Sequence, residues 1–325
     1  MGYLPRPVRS ADAPVLLELV ADLRRTLGRR GEALPATWPE EAVADLKSGR
    51  MGGLLLEGPE GPTGLGILSV RARRAFAQAH LLGATEPVTA AEILVRALVE
   101  AAPPSAERVD AGVSGLTGEE ELLLGDRLAA RPGFETVRRL GLIRPVTAAD
   151  GTGPPAVPEG YRFHPAGAIP TSELSRVDWE AFRHGPDAAF VADDPESNAR
   201  LLDNLRAGQL GQFLDIASAG VVDEAGHLVG FLLCVEESPR VGVIVDVAVG
   251  PASQRRGIGA ALLAHALRAL LALGYERARL WVTETNAPAL RLYQRTGFRP
   301  ETTSYIYRWR RGDSAPEASS PHRAR

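Results

Sequence analysis

Apolar positions along this chain recur in two rhythms that alternate down its length. Spacings of three and four residues, which put side chains on one helix face, occupy residues 11–26 and a stretch starting near Pro39-Glu40-Glu41. Short apolar runs follow at Leu54–Glu57, Leu65–Val70 and Ala77–Leu82, and these read as strands. The helical rhythm returns at Ala90–Glu100 and Glu119–Ala130, on either side of a strand at Arg108–Val113. Then the order repeats. A helix at 171–183 precedes one capped by Asp194-Pro195-Glu196, and strands are expected near Phe213–Val222, Leu228–Val235 and Val241–Val249. A helix at Arg255–Leu273 carries Ile258, Leu262, Leu263, Ala266, Leu270 and Leu273 at helical intervals, and a strand follows at Ala278–Val282.

The repetition is visible in letters as well as in rhythm. Arg127-Leu128-Ala129-Ala130-Arg131-Pro132-Gly133-Phe134 lines up with Arg291-Leu292-Tyr293-Gln294-Arg295-Thr296-Gly297-Phe298, and five of the eight positions are identical. Falling at the same place in both element orders, the match indicates an internal duplication. Residues 146–160, punctuated by proline and glycine and without an apolar period, read as a linker between the copies. The expected division is therefore 1–145, a linker 146–160, a second domain 161–311, and a polar tail 312–325 expected to be disordered.

The most informative segment joins the apolar run Val243–Val249 to the long helix. Gly250-Pro251 turns the chain, and Gln254-Arg255-Arg256-Gly257-Ile258-Gly259-Ala260 opens the helix. Helix N-termini present unpaired N–H groups and partial positive charge, so the segment is a seat for an anion. Gly257 and Gly259 let a phosphate approach the backbone, and Arg255 and Arg256 add positive charge. A Walker loop is excluded because no lysine is present here, and a dinucleotide fingerprint is disfavoured because only two glycines are. The first copy has Ala84-Thr85-Glu86-Pro87-Val88-Thr89-Ala90 at this place, without paired glycines or arginines and with an acid that would repel a phosphate.

What remains is a Gln/Arg-x-x-Gly-x-Gly/Ala loop, and downstream comes Asn286-Ala287-Pro288-Ala289-Leu290-Arg291-Leu292-Tyr293-Gln294-Arg295-Thr296-Gly297-Phe298. Together, in this order, the two segments resemble the pyrophosphate loop and the N-x-x-A-x-x-L-Y-x-x-x-G-F stretch of GNAT-type N-acetyltransferases. The resemblance covers roughly residues 160–310 well and the first half more faintly. It implies an α/β fold of two tandem domains, each a central mixed, mostly antiparallel sheet flanked by helices. It also implies transfer of an acetyl group from acetyl-CoA to an amine, without a metal. The first copy, which has Ala129 where the second has Tyr293, is then expected to be non-catalytic.

On that resemblance, the N–H groups of Arg256 to Ala260 hold the pyrophosphate, with Gln254 and Arg255 in the same loop. The backbone of Val247, Ala248 and Val249 takes the pantetheine arm. Asn286 matches a position that contacts the cofactor, and it also suits a helix N-cap. Tyr293 is the expected general acid, because a phenol with a pKa near ~10 protonates a thiolate whose thiol lies near ~8.5. Asp246 is the expected base, being the one charge in an apolar run, where burial is costly without a task. Glu236 and Glu237 are its rivals, and a structural carboxylate is the competing explanation of Asp246. Relatives that acetylate ribosomal protein N-termini place a glutamate where this chain has Trp281, which turns expectation toward a small-molecule amine. His184 lies in a segment that lines the acceptor site in the family, and His265 is expected on the surface.

Composition adds little but excludes some classes. A net charge of −3 over 325 residues gives no basis for nucleic acid or anionic membrane as partner. The single cysteine, Cys234, rules out an internal disulfide, and its apolar neighbours Phe231-Leu232-Leu233 suggest a buried, inert thiol rather than an acetyl carrier. No apolar run reaches the ~18 residues of a membrane span, and the start lacks a signal-peptide core, so a cytoplasmic protein is expected. Monomer and homodimer are both compatible with the duplication. An acetyl-CoA-binding sensor or assembly module without turnover stands as the alternative to an enzyme.

Overall fold

The computed structural model describes residues 2–29, 38–48, 51–71, 73–153, 156–188, 194–209 and 211–312. The chain forms two compact units, one made of residues 1–138 and 305–325, the other of residues 139–304. In the first, β1 (Leu4–Pro7) leads to α1 (Ala13–Arg29) and α2 (Trp38–Ser48). The strands β2 (Gly52–Gly58), β3 (Gly61–Arg71) and β4 (Arg74–Leu81) form an antiparallel meander. Then come α3 (Pro87–Ala101), β5 (Arg108–Ser114), α4 (Gly118–Ala129) and β6 (Phe134–Pro145). The second series is β7 (Tyr161–Pro165), α5 (Thr171–Phe182), α6 (Pro195–Arg206), β8 (Gln212–Phe213), β9 (Ala219–Asp223), β10 (Leu228–Ser238) and β11 (Val241–Val249). It closes with α7 (Ile258–Ala272), β12 (Arg277–Thr283), α8 (Ala287–Arg295) and β13 (Arg299–Arg310).

Within each unit the strands pair antiparallel except for one parallel pair, β4–β5 in the first unit and β11–β12 in the second. The matched octapeptides end the corresponding helices α4 and α8, each followed by a glycine at positive φ, Gly133 and Gly297. The duplication is therefore one of structure, and the expected architecture is present.

The boundaries differ from the expected ones. The second unit starts at Arg139, inside β6, whose Arg139–Pro145 pairs antiparallel with β12. Reciprocally, Ile306–Arg310 of β13 pairs with β5 in the first unit. The expected linker is also ordered where it is described. Asp150 accepts two hydrogen bonds from Arg144, at 2.8 and 2.9 Å, and Val146 and Val157 pack on the second unit's core. Pro154 and Pro155, and the tail beyond Gly312, lie outside the described residues.

Two smaller differences have local causes. The strand expected over Phe213–Val222 is broken between β8 and β9, because Ser218 Oγ donates to Leu214 O and receives the Cys234 N–H, both at 2.9 Å. The helix expected from Arg255 begins at Ile258, because Arg255 and Gly257 have φ of +62° and +87°.

Candidate functional site

The parallel pair of the second unit comes apart. β11 and β12 pair from Val241↔Arg277 to Ile244↔Leu280, whereas β4 and β5 stay paired from Arg74↔Arg108 through His80↔Ser114. At the point of separation, Val245 is an extra residue against β10, since Leu233 faces Asp246 and Cys234 faces Ile244. Such a bulge shifts the alternation of the strand by one. Val243 and Ala248 consequently pack with the α5 and α6 side chains, Ile244 packs with α7, and Asp246 points toward α5 and α6. Between the separating strands lies a cavity of about 260 Å³ whose walls include Asp246, Asp178, Asp187, Arg139, Trp281 and Tyr293.

Three carboxyl groups meet in this cavity in two different states. Asp187 is held as an acceptor, by Asn286 Nδ2 at 2.6 Å and by the backbone N–H (3.2 Å) and hydroxyl of Thr283. Asp246 instead shares the cavity wall with another carboxyl, Asp178, which accepts Asn198 Nδ2 at 2.7 Å. Burial, chiefly, lifts both of these carboxyls above the ordinary range, and in Asp246 the neighbouring Asp178 adds to it. Tyr293 is buried, edge-on to Phe298 at 6.1 Å between ring centroids. Burial, reinforced by the charges of Asp187 and Asp246, pushes its phenol up, so it is a protonated donor at neutral pH.

The basic loop has the form of an anion seat. Successive turns through left-handed backbone gather N–H groups into a concavity, and here Arg255 and Gly257 supply the two left-handed residues. A non-glycine residue in that region costs about 1 kcal/mol, which makes Arg255 a strained position at a candidate site. Ala261 N–H, at 3.0 Å from Gly257 O, is the first to close an intrahelical turn, so the N–H groups of Ile258, Gly259 and Ala260 precede any such partner. Gln254 braces the loop by donating from Nε2 to Val249 O at 3.0 Å, and Arg256 reaches Tyr161 Oη at 3.3 Å. The side chains of Ala248 and Ile258 are in the core, leaving only their main chains for a ligand.

Residues 176–298 match the acetyltransferase (GNAT) family. Three proteins named mycothiol acetyltransferase are similar to the chain. The one from Thermomonospora curvata is 32% identical over 55% of this chain and 58% of its own length. The one from Thermobispora bispora is 32% identical over 62% of this chain and 68% of the relative. The chain belongs to the GNAT acetyltransferase family. The third relative, from Parafrankia sp., is 29% identical over 93% of this chain and 96% of its own length, so the likeness reaches both units. In fold, the chain resembles a tandem GNAT protein from the clavulanic acid biosynthesis pathway, with a TM-score of 0.61, 15% identity, and coverage of 96% and 99%.

As a GNAT acetyltransferase, the chain is an N-acetyltransferase with acetyl-CoA as acyl donor. The residues fit that donor: the left-handed loop and helix start suit its pyrophosphate, and the separated edge of β11 suits its extended arm. Asn286 serves as N-cap, accepting from Ala289 N at 3.2 Å, and lines the cavity as well.

The remaining candidates sort cleanly in this acetyltransferase. Glu236 accepts from Tyr275 Oη at 2.7 Å, and Glu237 pairs with Arg279 at 2.6 Å, so both rival bases have structural partners. Cys234 is fully buried in β10, and burial pushes its thiol up to about 12, as suits an inert residue. Trp281 lines the cavity and also packs on the core. His184 is exposed and away from the cavity lining; Phe182 and Asp187, from the same stretch, line it instead. His265 is half-buried rather than on the surface, stacked near Phe163 and hydrogen-bonded to Ile216 O at 3.2 Å. Among the described residues, no helix is long and apolar enough to cross a membrane.

Sequence reasoning missed Asp178, Asp187 and Arg139. Asp178 did carry a signal, since it lies on the apolar stripe of α5 beside Leu174, Val177 and Ala181. Asp187 sits in irregular chain, and Arg139 precedes the expected domain boundary.

Proposed function

We propose that the second unit transfers acetyl directly from acetyl-CoA to the primary amine of a small molecule, with Asp246 as base and Tyr293 as acid. The observation that carries it is the placement of both groups on the walls of the one cleft that opens where β11 leaves β12. Bound there, acetyl-CoA supplies the thioester carbonyl that the amine attacks. The loop N–H groups from Arg256 to Ala260 hold its pyrophosphate, and the backbone of Val247 and Val249 orients its arm. Asp246 takes a proton from the amine nitrogen, and Tyr293 gives one to the departing sulfur.

The amine acceptor of the mycothiol acetyltransferases is the first candidate for this chain, on the strength of the Parafrankia relative's full-length match. The cytoplasm, where acetyl-CoA is made, is the compartment we assign.

The first unit takes no part in the chemistry. Its parallel strands stay paired, with His80 Nδ1 and Ser114 Oγ 2.9 Å apart at the position where the second unit has its cleft. The start of α3 is also occupied: Glu86 N–H donates to Tyr3 Oη at 2.9 Å.

Calorimetric titration with acetyl-CoA, paired with turnover of Tyr293→Phe, tests these assignments. We expect one site per chain, and a loss of turnover of roughly 10²–10⁴-fold with unchanged acetyl-CoA affinity. Two sites would refute the closed first unit. Undiminished turnover in Tyr293→Phe would refute the acid, and tight binding without any acetylated amine would favour a sensor.

A further inference from the structure

Asp246 does not stand alone, and its companion is the less expected part of the site. Asp178 is buried, 4% exposed, at the inner face of α5. One of its oxygens accepts from Asn198 Nδ2 at 2.7 Å, and it shares the wall of the same cavity with Asp246. Two carboxyls brought together in a buried cleft do not both ionise cheaply, so one proton kept between them is the favoured state. The amide of Asn198 fixes the orientation of Asp178 from α6, while the bulge at Val245 turns Asp246 toward it from β11. Three elements thus converge on the two carboxyls.

The other polar groups facing this pair are few. Asp187, in the segment after α5, adds negative charge; Tyr293 on α8 is a neutral phenol. Arg139 on β6 lines the same cavity, buried and near both Asp187 and Tyr293. Trp281 on β12 and Leu233 on β10 are uncharged. The pair thus carries about one negative charge in a poorly solvated cleft, an arrangement that both attracts an ammonium and holds a proton more tightly than a lone carboxylate.

We propose that Asp178 shares a proton with Asp246 and thereby sets the proton affinity of the base, fitting the site to acceptors that arrive as ammonium ions. This rests on acetyl transfer by the second unit. The acceptor R–NH₃⁺ gives one proton to the Asp178–Asp246 pair, which passes it to solvent. The freed nitrogen forms the C–N bond as the C–S bond breaks. The nitrogen's second proton replaces the one Tyr293 gives to sulfur. Asp178 is a positioning residue in this scheme, acting through Asp246.

The test is the pH dependence of kcat/KM for the amine in Asp178→Asn, alongside carboxyl-carbon NMR of the ¹³C-aspartate-labelled wild-type enzyme. Activity is lost at the acid side when the pair takes its second proton. Sharing the first proton stabilises the singly charged pair and so weakens uptake of the second, whereas a lone Asp246 has no such partner and takes up its proton more readily. We therefore expect the acid limb to move up by about one pH unit or more. Turnover at pH 7 should fall, while KM for acetyl-CoA is unchanged. Asp178→Glu should restore the limb. Asn198→Ala should move it the same way, because Asp178 then loses the donor that favours its charged form.

In the NMR titration, two carboxyl signals should titrate together, both above the ordinary carboxylate range. A limb in Asp178→Asn that superimposes on that of the wild type overturns the proposal. So do carboxyl signals that titrate independently near ~4. If no amine is acetylated, the transfer reading fails by itself, and the NMR titration still decides whether the pair exists. The same NMR result decides the matter if Asp178→Asn does not fold.

Discussion

A carboxyl that holds its proton more tightly in the folded chain than in the unfolded one stabilises the fold at low pH. That contribution fades as pH rises from the unfolded carboxylate value near ~4 through the raised folded value. Asp246, lifted by burial and by Asp178, is such a group, so the stability it contributes at low pH is lost toward pH 8. Asp246→Asn is neutral at every pH and can still donate to Asp178. We expect it to abolish turnover and raise the melting temperature at pH 8, by roughly 2–4 °C per kcal/mol recovered. The gain should vanish below about pH 4. Calorimetric scans at both pH values check this, and a lower melting temperature at pH 8 would contradict it. Activity and stability are then opposed at one residue, as is common where a site is built from groups the fold would not choose. Asp246 was legible in the sequence because it interrupts an apolar run. Asp178 was legible in principle as an acid on an apolar helix stripe, but Asp187 belongs to no periodic element and only the fold brings it to Asn286 and Thr283.

At the scale of elements, the site is made by one strand leaving its neighbour and one helix starting late. The first departure escaped the hydrophobic pattern. Val243 to Val249 is apolar at nearly every position, so alternation carries no parity and a bulge at Val245 leaves no trace in it. The loop and α8, by contrast, are contiguous runs with fixed glycines, and they were readable at once. Gly257 is the point where the loop's geometry is most exposed to test. An alanine there meets only ordinary contact, with Pro158 Cγ at 3.5 Å from the added carbon, so its cost is conformational rather than steric. At φ +87° that cost is about 1 kcal/mol or more, and relaxing it turns the N–H groups that precede α7. Gly257→Ala is expected to raise KM for acetyl-CoA several-fold while leaving kcat for the amine nearly unchanged. Initial-rate kinetics separate the two, and a fall in kcat with KM unmoved would mean that the loop does not hold the donor.

Each compact unit of the molecule borrows a strand segment from the other half of the sequence, and the chain boundary expected at 146–160 cuts through that exchange. Pairing between strands far apart in sequence depends on loop closure and burial, neither of which a local pattern records. The consequence is concrete for a fragment of residues 161–311. It would contain the loop, Asp246 and Tyr293, yet it would lack Arg139–Pro145, the antiparallel partner of β12. Leu142, 1% exposed in the second unit's core, would be missing; burying such a side chain is worth about 2 kcal/mol. An unpaired β12 would present free N–H and C=O groups and invite aggregation. Tyr305–Arg310, carried along at the other end, would have lost β5. Residues 139–304 form the second unit complete, with that strand and Arg139 in place. We therefore expect 161–311 to show no cooperative unfolding transition and no acetyl-CoA binding, while 139–304 unfolds cooperatively. Thermal denaturation followed by circular dichroism, with calorimetric titration on each fragment, decides it. If 161–311 folds and binds, the borrowed strand is dispensable, and the second copy must pair β12 in another way.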